Sequence, residues 1–404
     1  MSGTNALERR IEQIISSGEG ISDRLTNVIN ELVDSEAYSQ LPTVLSRVLG
    51  DHIPQQISRT VIIHFSNAIK KISGEPLEEI ASFAVTAIKN HLMSFDEADL
   101  ILREILFDYY ISQELFKDAA VILSGINMDS STNTISDQNK TEIYVKCAEA
   151  FLEDDETVDA EVFLNKASSC IQTVTEVSLL LRYRATYARV LDANRKFVEA
   201  AMRYYDLSNT TYADVNQEDL LELLGKAVTC AVLGKAGPQR SRVLGLLYKD
   251  ERIRSLDQIP RFASHASVLT KMYTEQILRR EELTAFESSL MPHQKALTSD
   301  SYTIPEKAVI EHNMLATGRI YDNITFIELG SILRLDAERA EKVAARMISE
   351  DRLKASIDQT EGLLQFSEDS DALRGWDERI KEVCGEVADC VDAIGQSYPQ
   401  LIVG

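Results

Sequence analysis

Apolar positions recur at three- and four-residue spacing along nearly the whole chain before Tyr302, and only short polar stretches interrupt them. Leu25, Val28, Ile29, Leu32 and Val33 form one stripe, and Val61, Ile62, Phe65, Ala68 and Ile69 a second. Ile80, Phe83, Ala84, Ala87 and Ile88 read as a third. Strict alternation, the mark of a half-buried strand, is absent there, so the expectation is helix after helix.

From about Leu100 the helices acquire a period. Phe116-Lys117-Asp118-Ala119-Ala120, Thr157-Val158-Asp159-Ala160-Glu161 and Phe197-Val198-Glu199-Ala200-Ala201 follow one another at 41 and then 40 residues. Six residues before each block stands Tyr110, Phe151 or Leu191, closing the preceding helix. Small alanines let two helices approach closely, while the bulky residue fills the turn between them. The pattern predicts helical hairpins stacked in the tetratricopeptide manner, with a longer period. Residues 127–139, rich in Ser, Thr, Asp and Asn, read as a surface loop inside this array. Residues 298–302 read as a hinge, and a helix over about 305–320 follows it, with Pro305 in its first turn.

Beyond the hinge the period changes. Thr325 and Glu328 have capping-box spacing, so a short helix starts at Phe326 and turns Phe326, Leu329, Ile332 and Leu333 inward. Asp336 is placed to cap the next helix, with Ala337, Ala340, Val343, Ala344, Met347 and Ile348 on one face. Leu353, Ala355 and Ile357 alternate, Glu361-Gly362 turns the chain, and Leu364 and Phe366 alternate again. Helix, turn, helix and hairpin make a winged helix. Such a unit can read DNA, but residues 336–351 hold five acids against Arg339, Lys342 and Arg346. A recognition helix of net charge −2 repels phosphate, which favours a protein partner.

The last helix carries the most explicit partner signal. Leu373, Trp376, Ile380, Val383, Val387, Cys390 and Ile394 are spaced 3, 4, 3, 4, 3 and 4 residues apart, a heptad seam. Burying seven such side chains contributes on the order of 10 kcal/mol gross. The seam either folds back on the winged helix or enters an intermolecular bundle, and the absence of a second heptad helix nearby favours the bundle.

Charge and chemistry narrow the function. Forty-two basic and sixty-four acidic side chains give −22, unfavourable for nucleic acid or an acidic membrane. Residues 182–261 depart from this with fourteen bases and ten acids, which leaves −26 for the remainder. Arg182, Arg184, Arg189, Arg195, Lys196 and Arg203 form one basic group there, and Arg240, Arg242, Lys249, Arg252 and Arg254 another. Internal pairing or an acidic protein partner would account for them. No apolar run reaches signal-peptide or membrane-span length, so an intracellular protein is expected. Cys147, Cys170, Cys230, Cys384 and Cys390 lack disulfide or metal spacing and read as buried thiols. His52, His64, His91, His265, His293 and His312 are scattered, and Glu311-His312 reads as a packed or surface pair. Gly234-Lys235-Ala236-Gly237-Pro238 faintly suggests a phosphate loop, yet it lacks the Walker spacing and a preceding strand, so a turn between helices is expected. No catalytic residue, metal or cofactor is expected.

Several longer segments carry a resemblance. They include Leu152-Glu153-Asp154-Asp155, Tyr187-Ala188-Arg189-Val190-Leu191-Asp192, Gln239-Arg240-Ser241-Arg242 and Leu290-Met291-Pro292-His293-Gln294-Lys295-Ala296. Val309-Ile310-Glu311-His312-Asn313 and Asn323-Ile324-Thr325-Phe326 add to them. From about Leu100 to Ile394 the chain resembles the PCI-domain scaffold subunits of the COP-nine signalosome, closely enough to match one subunit. That resemblance implies a mainly α fold: an α-solenoid of helical-hairpin repeats, a winged-helix (PCI) subdomain and a C-terminal bundle helix. It implies a division into an N-terminal arm (1–196), a helical PCI part (197–300), a winged helix (301–367) and a bundle helix (368–404). It further implies a non-catalytic scaffold in a cullin deneddylase whose zinc isopeptidase centre belongs to another subunit. Other signalosome subunits would pair with the hairpin at Leu353, Ile357, Leu364 and Phe366 and bundle with the seam from Leu373 to Ile394. The arm would reach cullin–RING ligases, in cytoplasm and nucleus, with no nucleic-acid or membrane partner. A PCI subunit of the proteasome regulatory lid, a winged-helix nucleic-acid binder and an independent hydrolase remain the alternatives at this point.

Overall fold

The computed structural model describes residues 2–17, 20–50, 53–89, 92–126, 128, 135–210, 216–298, 301–366 and 371–397, less the side chains of 2–6, 17, 92–94, 371–375, 378, 392 and 395–397. Two compact units divide the chain, Met1–Asn194 and Arg195–Gly404. The first is entirely helical where described: α1 (Ser2–Ser17), α2 (Ile21–Asp34), α3 (Leu41–Val48), α4 (Gln55–Ile69), α5 (Glu75–Ile88), α6 (Leu92–Ser112), α7 (Phe116–Ser124), α8 (Asp137–Glu153), α9 (Thr157–Cys170) and α10 (Val177–Ala193). The second holds α11 (Phe197–Ser208), α12 (Gln217–Leu233), α13 (Pro238–Tyr248), α14 (His265–Tyr273), α15 (Arg280–Glu287) and α16 (Ile304–Thr317). There follow β1 (Asn323–Thr325), α17 (Phe326–Leu333), α18 (Ala337–Ser349), β2 (Ala355–Asp358), β3 (Leu363–Phe366) and α19 (Asp371–Ser397).

In the first unit the stripes of α2 and α4 are buried as their spacing requires, in one core with α5 and α6. The third stripe is rotated from its expected position. Phe83 is exposed, and the buried face of α5 is Leu77, Ile80, Ala81, Ala84, Val85 and Ile88. A large aromatic drew the expected face toward itself, whereas the small Ala81 and Ala84 are what allow neighbouring helices to close.

A second core gathers α7, α8 and α9 around Ala119, Ala120, Ala148, Phe151 and Ala160. The repeat has a backbone cause. Glu114 and Asp155 occupy the left-handed region at φ 59° and 60°, one residue beyond each helix cap. Leu115 N–H donates to Tyr110 O and Glu156 N–H to Phe151 O, both at 2.9 Å. These six-to-one bonds end α6 and α8 and aim the next helix back along them. Arg195, at φ 61°, repeats the turn after α10. There the copies diverge, because the boundary between units falls at 194/195, α10 packs on α8 and α9, and α11 packs on α12. The polar loop is shorter than expected: Asp137–Asn139 belong to α8, capped by the Ser136 hydroxyl accepting from Asn139 N–H at 3.3 Å. Residues 127 and 129–134 of that loop lie outside the described residues.

In the second unit, α12 and α13 are joined by the 234–237 turn, as the sequence suggests. His265 is fully buried between Phe262 and Phe286, with ring centroids 4.9 and 4.8 Å away, and its Nε2 lies 2.9 Å from Thr229 Oγ1. His312, in α16, meets Gln276 O at 2.9 Å and is buried too. Of the expected hinge, residues 299 and 300 lie outside the described residues, and the flanking residues are bonded to one another. Thr298 N–H and Oγ1 both donate to Tyr302 O at 2.8 Å, and Leu297 bridges Thr303. Thr303 then caps α16, accepting from Glu306 N–H at 3.3 Å while Glu306 accepts from Thr303 N–H at 2.9 Å.

The winged helix follows with one unexpected strand. The sheet runs β1-β3-β2, all antiparallel, with Ile324 opposite Leu364 and Ile357 opposite Leu364 on the other side. Ile324, Phe326, Leu329, Leu333, Ala340, Ala344, Met347, Leu353 and Leu364 fill its core. The Thr325 hydroxyl caps α17, but Glu328 returns to that hydroxyl at 3.0 Å, since the residue preceding α17 is already in the sheet. Asp336 stands at the cap of α18 without a capping bond, its carboxylate 3.8 Å from Arg339.

One buried ion pair joins the wing to the helices before it. Glu311 of α16 accepts from Arg352 Nη1 at 2.5 Å and Nη2 at 3.2 Å, a two-bond fork with Glu311 buried and Arg352 largely so. Its Oε2 also accepts from Ala236 N–H at 3.4 Å, and Arg352 Nη1 reaches Ala236 O at 3.4 Å. The 234–237 turn, α16 and the segment after α18 therefore meet at one charge pair.

Three outcomes are expected from these contacts. Glu311→Ala removes the fork from Arg352 and leaves it only the exposed Glu350 at 2.8 Å, which should cost about 1–3 kcal/mol in urea unfolding, whereas Glu311→Leu with Arg352→Met should recover much of that loss. Burial, with Arg261 near one ring and Arg240 near the other, pushes both His265 and His312 down to about 4. The unfolded rings take up protons near pH 6.5 and the folded ones only near 4, so stability is full above 6.5 and falls as pH drops toward 4. Unfolding at pH 7 and pH 5 should differ by about 2 kcal/mol per histidine, and His312→Gln should reduce the difference. Asp155→Gly relieves a left-handed residue and should raise the free energy of urea unfolding by about 0.5–1 kcal/mol.

Candidate assembly surfaces

Two surfaces were expected to receive partners, the wing hairpin and the terminal seam. At the wing, β3 is the central strand, because β1 covers the side that a two-stranded hairpin would leave open. Leu364 is 0% and Leu353 6% exposed, so both are core of this chain. Phe366 is half-buried, its ring lying where a Cβ on Gly318 would meet it at 2.8 Å, and Ile357 is half-buried on β2. The hairpin expectation is thereby corrected. Of its four residues only Ile357 lies on an outer strand, and the outer strands are β1 and β2. A strand at the end of a sheet keeps a row of unpaired N–H and C=O groups, which another strand can complete. The missed signal is Asn323-Ile324-Thr325, three residues whose period is too short to read alone.

The terminal seam is laid out along α19. Trp376 is 68% exposed, and Ile380, Val383, Val387 and Ile394 are exposed by 53–57%. Val391, beside the seam, joins them at 61%, and Cys390 is exposed as well. The side chain of Leu373 lies outside the described residues. Cys384 and Cys390 thus depart from the expectation of buried thiols, which holds for Cys147 and Cys230, while Cys170 is intermediate. Burial pushes the Cys147 thiol up to about 12, so it is not a nucleophile. A ridge of this size, uncovered along a charged helix, exceeds the scattered apolar residues of an ordinary surface.

The charges around these surfaces are largely spoken for. On α18, Arg339 and Lys342 approach Asp336 and Glu338 at 3.8 and 2.7 Å. In the basic belt Arg182 binds Glu149, Arg189 binds Glu153 at 2.7 Å, and Arg252 binds Asp250 at 2.6 Å and the Ser208 carbonyl. Arg240 is buried. Internal pairing therefore accounts for Arg182, Arg189 and Arg252, while Arg184, Arg195, Arg242, Lys249 and Arg254 are exposed. Among the described residues no three or more His, Cys, Asp or Glu could hold a metal ion together, and no helix is long and apolar enough to cross a membrane. His52 and His91 lie outside the described residues.

Comparison with known proteins agrees with this geometry. The family model described as "PSMD12/CSN4, N-terminal" matches residues 6–216, and the PCI domain model matches 289–368, which spans the winged helix. COP9 signalosome complex subunit 4 of Arabidopsis thaliana is 40% identical over 380 residues, covering 92% of this chain and 94% of that protein. The Dictyostelium discoideum subunit 4 is 38% identical over 399 residues, with 97% and 99% covered, and that of Drosophila melanogaster 37% over 375, with 93% and 88%. With relatives at this identity along almost all of its length, and with a helical N-terminal half leading into a PCI winged helix, the chain belongs to the COP9 signalosome subunit 4 family.

Proposed function

We propose that the chain is a non-catalytic scaffold subunit of the signalosome, assembling the cullin deneddylase complex and touching cullin–RING ligases through its N-terminal arm. The observation that carries this reading is the apolar seam of α19, more than half exposed from Trp376 to Ile394 at its described positions. Such a ridge is stable in water only when other helices cover it, so helices of other signalosome subunits are its partners. The outer strand β2 is the second attachment point, where a neighbouring winged helix adds its own strand. The arm is residues 1–196, the helical PCI part 197–300, the wing 301–367 and the bundle helix 368–404. Buried or paired side chains support a structural role for Cys147, His265, His312 and Glu311 rather than a chemical one. The acids facing Arg339 and Lys342 on α18 favour protein over nucleic acid. The localisation that goes with this reading is cytoplasm and nucleus, away from membranes.

The test is co-purification. Trp376→Asp with Ile380→Asp should release the chain from the other signalosome subunits while its own thermal unfolding stays nearly unchanged. Retention of every subunit by this variant overturns the reading, as does purification with proteasome lid subunits instead.

A further inference from the structure

A hollow of about 500 Å3 lies within the second unit, beside the 234–237 turn and the Glu311–Arg352 pair. The first turns of α11, α13 and α16 all line it, at Val198, Gln239 and Ile304. The starts of α11 and α13 offer backbone N–H groups and the positive end of a dipole, whereas at α16 Ile304 N–H donates to Ala296 O and Glu306 N–H to the Thr303 hydroxyl. Such positions ordinarily gather acids, yet here Arg195, Lys235 and Lys307 line the same space. Two carboxylates stand against them, Glu199 and Glu311, and Glu311 is committed to Arg352.

The second observation is Arg240. It is 3% exposed and lines the hollow. Its Nη2 donates to Met272 Sδ at 2.9 Å, and its Nε has no partner. A guanidinium buried with an orphan donor is costly unless an anion completes it. Phe197, Val198, Leu233 and Ile304 give the hollow an apolar wall, beside the polar Lys196, Gln239 and Thr298. Gly234 makes room for this wall, since a Cβ there would meet Val198 Cγ2 at 2.8 Å.

From this arrangement we propose that the hollow binds a small organic phosphate, its phosphate at the start of α13 between Lys235 and Arg240 and its apolar body against Val198 and Ile304. Phosphate fits better than a carboxylate, because two helix starts and several cations present more donors than two oxygens accept. The faint phosphate-loop likeness of residues 234–238 acquires a physical basis here. The turn between two helices, not a strand-to-helix loop, does the positioning. The site is separate from β2 and α19, so it stands or falls independently of the assembly reading.

Calorimetric titration of the full chain with phenyl phosphate tests it, with inorganic phosphate and benzoate as comparison ligands. Saturable binding of phenyl phosphate, weaker binding of both comparison ligands, and about tenfold loss in Lys235→Ala with Arg195→Ala are expected. Gly237 is extended at φ 164° with open space over its Cα, so Gly237→Leu should fill the hollow and abolish binding at an unchanged melting temperature. Both Lys235 and Arg195 are exposed, so their variant decides the question even where Gly237→Leu fails to fold. No saturable binding, equal affinity across the variants, or binding of a phosphoserine peptide without phenyl phosphate would each overturn the proposal.

Discussion

The buried carboxylate of Glu311 needs a cation beside it, and three segments of the second unit meet where Arg352 supplies one. Glu311 and Arg352 share two bonds, both also reach the backbone of Ala236, and the Arg352 Nε donates to Glu350 at 2.8 Å. Each partner comes from a different segment, so the pair is satisfied in one arrangement of the three. Apolar packing alone tolerates small slips between a helix and a winged helix. A fork with fixed geometry tolerates them poorly, and this gives the wing a defined seat on the helices before it.

That seat bears on the surfaces that remain open. The wing uses Leu353 and Leu364 for its own core and leaves β2 as an outer strand. The terminal helix keeps its apolar residues outside. A strand edge and a helical ridge demand different partners: backbone hydrogen bonds complete the first, interdigitating side chains the second. A chain held at both kinds of surface would be fixed in position and in rotation.

Periodic features were legible in the sequence because period is a property of neighbours. The helices, the 40-residue repeat, the winged helix and the heptad seam all rest on spacings of a few residues. What escaped depends on partners distant in the chain. β1 is three residues long and becomes a strand only because β3 lies beside it. Phe83 drew the face of α5 toward itself, though the close approach belongs to Ala81 and Ala84. Cys384 and Cys390 have apolar neighbours in sequence, yet those neighbours form an uncovered face. The Glu311–Arg352 pair spans 41 residues, and no local pattern marks it. The left-handed turns at Glu114, Asp155 and Arg195 escaped for another reason: no glycine announces them.

The reach of Arg352 also sets a timetable. Ala236 precedes it by 116 residues. On a ribosome adding roughly 5–20 residues per second, the turn waits on the order of ten seconds before its charged clasp is synthesised. Throughout that interval Glu311, once made, has no Arg352 to meet. The nascent helical segment must therefore emerge with this corner still wet, and the arrival of the wing drives out the water and closes it.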